Sequence, residues 1–271
     1  MQEKPSLEDT LELMRDLRRR CEWDRAQTHE SLRPYLIEEA YEVDEAIQKL
    51  ATGGDAGTLR DELGDLLLQV LFHSVIGEEQ GEFGLHDVAR ALITKMRARH
   101  PHLYPPEGGE PGERPSWEGM KARPRRGIDE GLPASLPPLH RAHRLQDRAA
   151  GVGFDWPDVE GPAAKVEEEL GEVRAELVRA PLSRGPQGDP VYDERHARLE
   201  AELGDLLFAV VNLCRKAGVH ASLALDKANA KFASRFGAIE RIAAERGIDV
   251  NSAGLAVLDA LWDEVKAAEP R

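Results

Sequence analysis

The stretch that decides the fold reads EEAYE at residues 38–42 and DELGDLLLQVLF at residues 61–72. The same form returns as EELGE at residues 168–172 and AELGDLLFAVVNL at residues 201–213. Each copy has the pattern Glu-Glu-x-x-Glu followed by Glu-x-x-Asp. A carboxylate pattern that recurs within the same flanking sequence indicates an internal duplication. We refer to the two copies as repeat one and repeat two.

Further landmarks extend the duplication beyond the acidic patterns. A Lys-x-x-x-Arg pair and a Trp-x-x-x-Lys pair follow in the same order in both halves. In repeat one these residues are Lys95, Arg99, Trp117 and Lys121, and in repeat two they are Lys231, Arg235, Trp262 and Lys266. The repeated order predicts that each half is a small helical bundle.

The periodicity of apolar residues predicts an all-α fold of two tandem bundles, each resembling a four-helix bundle. Runs of Val, Ile and Thr with period two are absent from the sequence, so we expect little or no sheet. Residues 104–138 are rich in Pro and Gly, which is typical of a loop or linker. The predicted boundaries are 1–123 for the first repeat, 124–138 for the linker and 139–271 for the second repeat. A loop is expected over residues 21–24. Helices are expected over residues 6–20, 34–50, 56–80, 86–99, 196–217, 222–246 and 255–266, and two more begin near residues 139 and 162.

Composition excludes several classes of partner. The net charge of −14 disfavours nucleic acid and anionic membrane surfaces, because both are bound mainly through Lys and Arg. No apolar run approaches the roughly 20 residues that span a bilayer. Cys21 and Cys214 are far apart in a chain without a recognisable signal peptide, so we expect reduced thiols in a soluble, cytoplasmic protein.

The acidic patterns predict a metal site. Residues three and four apart share one face of a helix, so each pattern places like charges side by side. Residues 66–76 are almost entirely apolar, so we expect their helix to be largely buried, where aligned charges need a metal or partner. An all-oxygen ligand set suits Mg²⁺ or Mn²⁺. A solvated acidic face is the alternative, and a di-iron site is rejected because the sequence contains no Glu-x-x-His.

These patterns resemble the MazG family of nucleoside triphosphate pyrophosphohydrolases across nearly the whole chain. The resemblance is carried by the duplicated acidic patterns, by SLPPLHRAHRLQDRAAGVGFDW at residues 135–156, and by KANAKFASRF at residues 227–236. The family resemblance implies Mg²⁺-dependent hydrolysis of NTPs and dNTPs between the α and β phosphorus atoms, which yields NMP and pyrophosphate. It also implies a homodimer and a role in cleaning the nucleotide pool.

The resemblance also assigns residue roles in repeat two. The implied metal ligands are Glu169, Glu172, Glu202 and Asp205, and Glu168 is implied to orient or deprotonate the attacking water. The implied nucleotide contacts are Arg198, Lys231, Arg235, Trp262 and Lys266.

Physical arguments support these roles independently. A divalent metal lowers the pKa of bound water and produces a hydroxide nucleophile. Lys231 and Arg235 can neutralise charge on the phosphates, and stacking on Trp262 tolerates any base, which favours broad specificity. The alternatives are a solvated basic face for the two cations and a core position for the tryptophan.

The two repeats are not equivalent. Repeat one keeps the ligand set of a second, less certain metal site: Glu39, Glu42, Glu62 and Asp65. It lacks counterparts of Lys227 and Asn229, and Thr58 stands where repeat two has Arg198. We therefore predict that repeat two is the principal catalytic unit. Residues 180–194 lengthen its connection between the acidic helices, and we expect a passive loop rather than a lid.

Two other functions remain open at this point. One is a narrower pyrophosphatase that selects a particular dNTP or a modified nucleotide. The other is a non-enzymatic, dimeric scaffold that regulates a partner protein and uses metal only for structure.

Overall fold

The computed structural model describes residues 5–105, 127–179 and 193–269. The chain divides into two compact units, Met1–Arg114 and Pro115–Arg271. The described residues contain helices and no strand, as the all-α prediction requires. Trp117, Lys121 and most of the 180–194 insertion lie outside the described residues, so their predicted roles remain predictions.

The first unit contains five described helices. Four lie close to the predicted spans, whereas the short helix over residues 22–26 forms where a loop was expected, so that expectation was wrong. The five helices are α1 (Leu7–Arg20), α2 (Glu22–Ala26), α3 (Arg33–Ala51), α4 (Ala56–Gln80) and α5 (Leu85–Arg99). Local sequence sets their ends: Ser6 and Asp9 form a capping box before α1, and Asp55 caps α4. Gly81 ends α4 with a φ of 73°, a left-handed conformation that favours glycine.

The core of the first unit joins α1 to the C-terminal half of α4. Its buried side chains are Leu11, Met14, Leu32, Leu71, Phe72, Val75 and Ile76. Two ion pairs flank this contact. The Arg15 guanidinium donates two hydrogen bonds to Glu78, at 2.8 and 3.0 Å, and Arg18 pairs with Glu79.

The second unit also contains five described helices. They are α6 (Pro138–Ala150), α7 (Glu160–Arg179), α8 (Glu194–Lys216), α9 (Ala221–Glu245) and α10 (Leu255–Ala268). Helix α7 packs along α8, as α3 packs along α4 in the first unit, and α6 packs against α8. A separate hydrophobic core holds α9 against α10 through Ile239, Ala243, Leu261 and Val265.

The predicted burial of α4 holds only for part of the helix. From Gln69 to Gly77 nearly every residue is buried, but Asp65 is exposed and Glu62 is only half-buried. The expectation was therefore wrong for the half of α4 that carries the carboxylates. The reason is that α1 covers the C-terminal half, whereas the N-terminal half contacts α3 on one side. The corresponding half of α8 also exposes Leu207 and Phe208, by 56% and 46%.

Two further expectations concern the thiols and the membrane. Cys21 and Cys214 are both free and half-buried. In the parts of the chain that the structure describes, no helix on its own is both long and apolar enough to span a membrane. Helices α8 and α9 pass that test only when joined, and they are bent by 102° with respect to each other.

Candidate functional site

The acidic residues of repeat two meet where α7 lies beside α8. Glu169 and Glu172 project from α7 and Glu202 from α8, and one carboxylate oxygen of each lies within 4.8 Å of the others. We call these three residues the carboxylate cluster of repeat two. Asp205, one turn after Glu202, lines the cavity that adjoins the cluster. Three converging carboxylates form the oxygen-rich ligand set that hard divalent cations prefer.

Lys165 is the cation beside this cluster, and the sequence analysis missed it. Its Nζ lies 2.7 Å from Oε1 of Glu169 and 3.0 Å from Oε1 of Glu168. Glu169 is only 5% exposed, so the ion pair partly compensates a carboxylate removed from water. The signal was present in the sequence, since Lys165 precedes Glu169 by one helical turn.

The charges in the cluster shift two carboxyl groups in opposite directions. The hydrogen bond from Lys165 lowers the pKa of Glu169. The neighbouring Glu169, through a hydrogen bond and charge repulsion, raises the pKa of Glu172. A cation bound between the carboxylates would replace this repulsion with attraction on every side.

Repeat one forms the same cluster, and among the described residues no lysine or arginine forms an ion pair with it. Oxygens of Glu39, Glu42 and Glu62 lie within 4.8 Å of one another, and Tyr35 occupies the position that corresponds to Lys165. Burial raises the pKa of Glu39, and the charges of Asp65, Glu42 and Glu62 add to the increase. Three of the four residues predicted for the second metal site, Glu39, Glu42 and Glu62, are therefore brought together. Their repulsion is less well compensated than in repeat two.

A cavity of about 880 Å³ opens beside the carboxylate cluster of repeat two. Lys165, Glu169 and Asp205 line one part of it. Its apolar wall includes Phe154, Trp156, Ile128, Leu145, Ala149, Phe208 and Ala209. The combination of charged groups and exposed aromatic rings can hold a ligand with an anionic end and a flat apolar end.

The aromatic wall is fixed in place by the loop that precedes α7. Asp155 accepts hydrogen bonds from Arg215 and from Nζ of Lys216, the latter at 3.1 Å. Trp156 packs so closely on Gly161 that a Cβ there would overlap the indole ring. These contacts tie residues 154–156 to the C-terminal end of α8 and to the start of α7. Sequence reasoning found this segment only as part of a family resemblance and gave it no role.

Four of the five predicted nucleotide contacts lie on α9 and α10: Lys231, Arg235, Trp262 and Lys266. The Arg235 guanidinium lies 5.5 Å from the Trp262 ring centre and donates hydrogen bonds to Glu269 at 2.8 and 2.6 Å. The pKa of Glu269 is lowered, first by Arg235 and to a smaller extent by the charges of Lys231 and Lys266. We call the three cations Lys231, Arg235 and Lys266, together with Trp262, the α9–α10 basic group.

Within one chain, the α9–α10 basic group has no described contact with the carboxylate cluster. Among the described residues, no hydrogen bond or ion pair connects Lys231, Arg235 or Lys266 with the carboxylate cluster of repeat two. Nε of Arg198 instead lies 3.6 Å from Oε2 of Glu176. The roles predicted for these residues at the nucleotide therefore remain predictions.

Comparisons with known proteins agree with the duplicated architecture. The family model described as MazG nucleotide pyrophosphohydrolase domain matches residues 27–104 and again residues 160–237. The nucleoside triphosphate pyrophosphohydrolase of Escherichia coli K12 is 39% identical over 267 residues, which cover 96% of this chain and 95% of the relative. A Thermotoga maritima protein named nucleoside triphosphate pyrophosphohydrolase/pyrophosphatase MazG is 40% identical over 270 residues, covering 97% and 96%.

Proposed function

This chain belongs to the MazG nucleotide pyrophosphohydrolase family, and from that membership we propose that it hydrolyses nucleoside triphosphates to NMP and pyrophosphate. The proposed reaction cleaves the bond between the α phosphorus and the oxygen that leads to the β phosphorus. One observation carries the assignment of the site to repeat two. Its three clustered carboxylates adjoin a large cavity that also has a lysine and three aromatic rings in its wall.

The residues of the cluster fit Mg²⁺, with Mn²⁺ as a substitute. All donors are carboxylate oxygens, and a few such oxygens together with waters and phosphates complete a magnesium shell. We propose Glu169, Glu172 and Glu202 as the groups that hold the cation, with Asp205 as the fourth. When bound, the cation would lower the pKa of a water ligand and neutralise charge on the phosphates.

The chain's own side chains have separate parts in this proposal. Glu168 is exposed beside the cluster and is the proposed acceptor of a proton from the attacking water. Lys165 is held by Glu168 and Glu169 while the cluster lacks another cation. A metal held by Glu169 would free the Lys165 ammonium for a phosphate oxygen, where it would neutralise developing charge.

The cavity wall suggests where the nucleoside binds. Phe154 and Trp156 present exposed rings near the carboxylates, and stacking on such rings does not depend on base identity. We therefore propose that these rings receive the base and give the enzyme broad specificity for NTPs and dNTPs. In this proposal the cavity wall stacks on the base in addition to Trp262. The Arg235 guanidinium already lies over the Trp262 ring.

A homodimer is part of the proposal for two reasons. Helices α8 and α9 expose large apolar side chains, including Leu207 and Phe232, which are 56% and 58% exposed. The α9–α10 basic group also lacks a described contact with the carboxylates of its own chain. Association through the exposed apolar side chains would cover them and provide a route for that group to reach the nucleotide. A cytoplasmic role in cleaning the nucleotide pool completes the proposed function.

The test is pyrophosphate release from a panel of NTPs and dNTPs with Mg²⁺, comparing Asp205→Ala with Asp65→Ala. The second variant is a matched control, because both residues occupy the same position of their repeats. Loss of activity in Asp205→Ala alone supports catalysis by repeat two, and equal loss means that both sites act or are coupled. Activity confined to one nucleotide would favour the narrow pyrophosphatase. Absence of pyrophosphate from every nucleotide would contradict the proposed reaction and favour the scaffold.

A further inference from the structure

Two amide side chains line the cavity beside the carboxylate cluster and have no part in the proposed reaction. Gln146 belongs to α6 and Asn212 to α8. Gln146 is only 6% exposed, whereas Asn212 is half-buried. An amide carries both a donor and an acceptor, so its hydrogen bonds to the protein decide which of its atoms is left for a ligand.

A hydrogen bond to α8 fixes the orientation of the Gln146 amide. Its Nε2 donates to the backbone carbonyl oxygen of Phe208 at 2.9 Å. A carbonyl oxygen only accepts, so reversing the amide would place two acceptors against each other. Oε1 of Gln146 is therefore the atom without a partner, since it is buried and accepts no hydrogen bond from any described residue. Such an atom is costly, and native proteins usually satisfy it with water or a ligand.

Arg215 fixes the Asn212 amide in the complementary sense. Nε and Nη2 of Arg215 donate to Oδ1 of Asn212 at 3.2 and 2.9 Å, and Asp155 holds the same guanidinium. A guanidinium can only donate, so Oδ1 must face it. Among the described residues, Nδ2 of Asn212 donates to no acceptor. This amino group is therefore the part of Asn212 that is free to donate to a ligand.

The two amides are neighbours on the cavity wall. In an α-helix the carbonyl of residue 208 accepts from the N–H of residue 212, so the carbonyl that Gln146 binds lies beside Asn212. The wall thus combines an unpartnered acceptor on Gln146 with an unpartnered donor on Asn212. We call these two side chains the amide pair.

The amide pair and the carboxylates lie at different ends of the cavity. Asp205 and Asn212 are seven residues apart on α8, so they share one face of the helix about 10 Å apart. Phe154 and Trp156 also line this cavity. In a nucleotide the sugar likewise separates the phosphates from the base. A nucleotide with its phosphates at the carboxylates would therefore direct its base toward the amide pair.

We infer that the amide pair binds the hydrogen-bonding edge of the nucleotide base. Oε1 of Gln146 accepts an N–H of the base, and Nδ2 of Asn212 donates to a ring nitrogen or carbonyl oxygen. Each common base carries such a donor beside such an acceptor, so the pair is compatible with several bases. This role rests on the proposed function, because it requires a nucleotide in the cavity.

Repeat one does not have the amide pair. Phe72 stands where repeat two has Asn212, and it is buried in the core of the first unit. Gln69 of α4 nevertheless offers a matched control. It is also buried and its Oε1 also has no partner, but it does not line the cavity of repeat two.

The experiment is a calorimetric titration of the full chain with two nucleotide analogues in Mg²⁺. The first is α,β-methylene ATP, in which a carbon replaces the oxygen between the α and β phosphorus atoms, so the proposed reaction cannot cleave it. The second is the same analogue without the 6-amino group of adenine. Wild type should bind the first about 2- to 13-fold more tightly, which is the effect of one hydrogen bond.

Variants assign this preference to the amide pair. Gln146→Met keeps a side chain of similar length without an amide, so it should weaken binding of α,β-methylene ATP by about 2- to 13-fold and leave the second analogue unchanged. Gln69→Met should leave both unchanged. Asn212→Asp keeps an oxygen for Arg215 but removes the donor, so it should weaken both analogues by at least about 2-fold. Tripolyphosphate, which has no base, measures the effect of the added charge, and that effect should be smaller.

The proposal is overturned if wild type binds neither analogue or binds the two with equal affinity, and this result needs no variant. It is equally overturned if Gln146→Met, shown by circular dichroism to keep its helices, weakens both analogues alike. That result would mean that Gln146 only holds α6 against α8. Pyrophosphate release from ATP tests the reaction separately. A chain that distinguishes the analogues but releases no pyrophosphate would retain the base site and lose the proposed reaction.

Discussion

Replacing equivalent glutamates of the two repeats should change stability in opposite directions. Glu39 and Glu169 occupy the same position of their patterns, but only Glu169 has a lysine beside it. Without divalent metal, Glu39→Gln removes repulsion from Glu42, Glu62 and Asp65 and should stabilise the first unit. Glu169→Gln removes the ion pair with Lys165 and should destabilise the second unit.

The magnitude for Glu39 follows from the geometry of its cluster. Two carboxylates 4.8 Å apart repel by about 0.9 kcal/mol in water and about 3.5 kcal/mol at an effective dielectric constant of 20. Proton uptake sets an upper limit on the destabilisation that this repulsion can cause. Protonating a carboxyl of ordinary pKa 4.5 at pH 7 costs about 3.4 kcal/mol, and the group takes up a proton rather than exceed that cost. We therefore expect Glu39→Gln to raise the free energy of unfolding of the first unit by about 1–3 kcal/mol.

The two effects also differ in their dependence on pH. The pKa of Glu39 is raised by folding, so its destabilising contribution is present at neutral pH and fades as the pH falls through the raised value. The pKa of Glu169 is lowered, so its stabilising contribution is present above the ordinary carboxyl pKa and is lost as the pH falls through the lowered value. Both differences between variant and wild type should therefore shrink in acid.

Hydrogen exchange measured by mass spectrometry is the suitable assay, because two units need not unfold in one transition. The amides of α3 report the first unit and those of α7 report the second, in EDTA and then in Mg²⁺. Magnesium should slow exchange in α3 of wild type but have little effect in Glu39→Gln. Glu45→Gln is the control on α3, because Glu45 is exposed and its pair with Lys49 should contribute less than about 1 kcal/mol.

Either of two outcomes would refute this reasoning. If Glu39→Gln speeds exchange in α3 in EDTA at neutral pH, repulsion does not dominate the cluster of repeat one. If both variants change exchange in the same direction, the difference attributed to Lys165 is wrong.

Three further predictions concern the cavity, the α9–α10 basic group and the core. Trp156→Ala and Phe154→Ala should each raise the KM for several nucleotides by about 5- to 150-fold in steady-state kinetics, given about 1–3 kcal/mol for a stacked base. Arg235→Ala should lower kcat/KM by about 10- to 150-fold, since a hydrogen bond to a charged group contributes about 1.5–3 kcal/mol, while circular dichroism shows unchanged helicity. Leu11→Ala, at a fully buried position, should destabilise the first unit by about 2–5 kcal/mol in calorimetry and leave pyrophosphate release unchanged below the melting temperature.

Much of the fold could be predicted because helices follow local rules. Apolar spacing and Pro or Gly at the ends placed every described helix except α2 within a few residues of its observed bounds. The convergence of Glu169, Glu172 and Glu202 was also predictable. Residues three and four apart share a helix face, and the duplication indicated that the two acidic helices pack together.

Features that depend on packing between distant segments were not predictable. The apolar sequence of α4 indicated burial along the whole helix, yet only the half covered by α1 is buried. Burial depends on where the neighbouring helix ends, which the sequence of α4 does not specify. The cavity wall of Phe154 and Trp156 likewise depends on the loop anchored by Asp155 to the end of α8.

Local sequence thus accounts for most of the helices, the duplication, the clustered acidic residues and the family. Only the folded chain brings Lys165 to Glu169 and leaves particular apolar residues exposed. It also places His220, just before α9, in ring contact with His140 and His143 of α6. The physical reason is the range of the interactions. Helix formation and residue spacing are fixed within a few turns of chain, whereas burial, charge compensation and ligand geometry depend on segments that only the folded chain brings together.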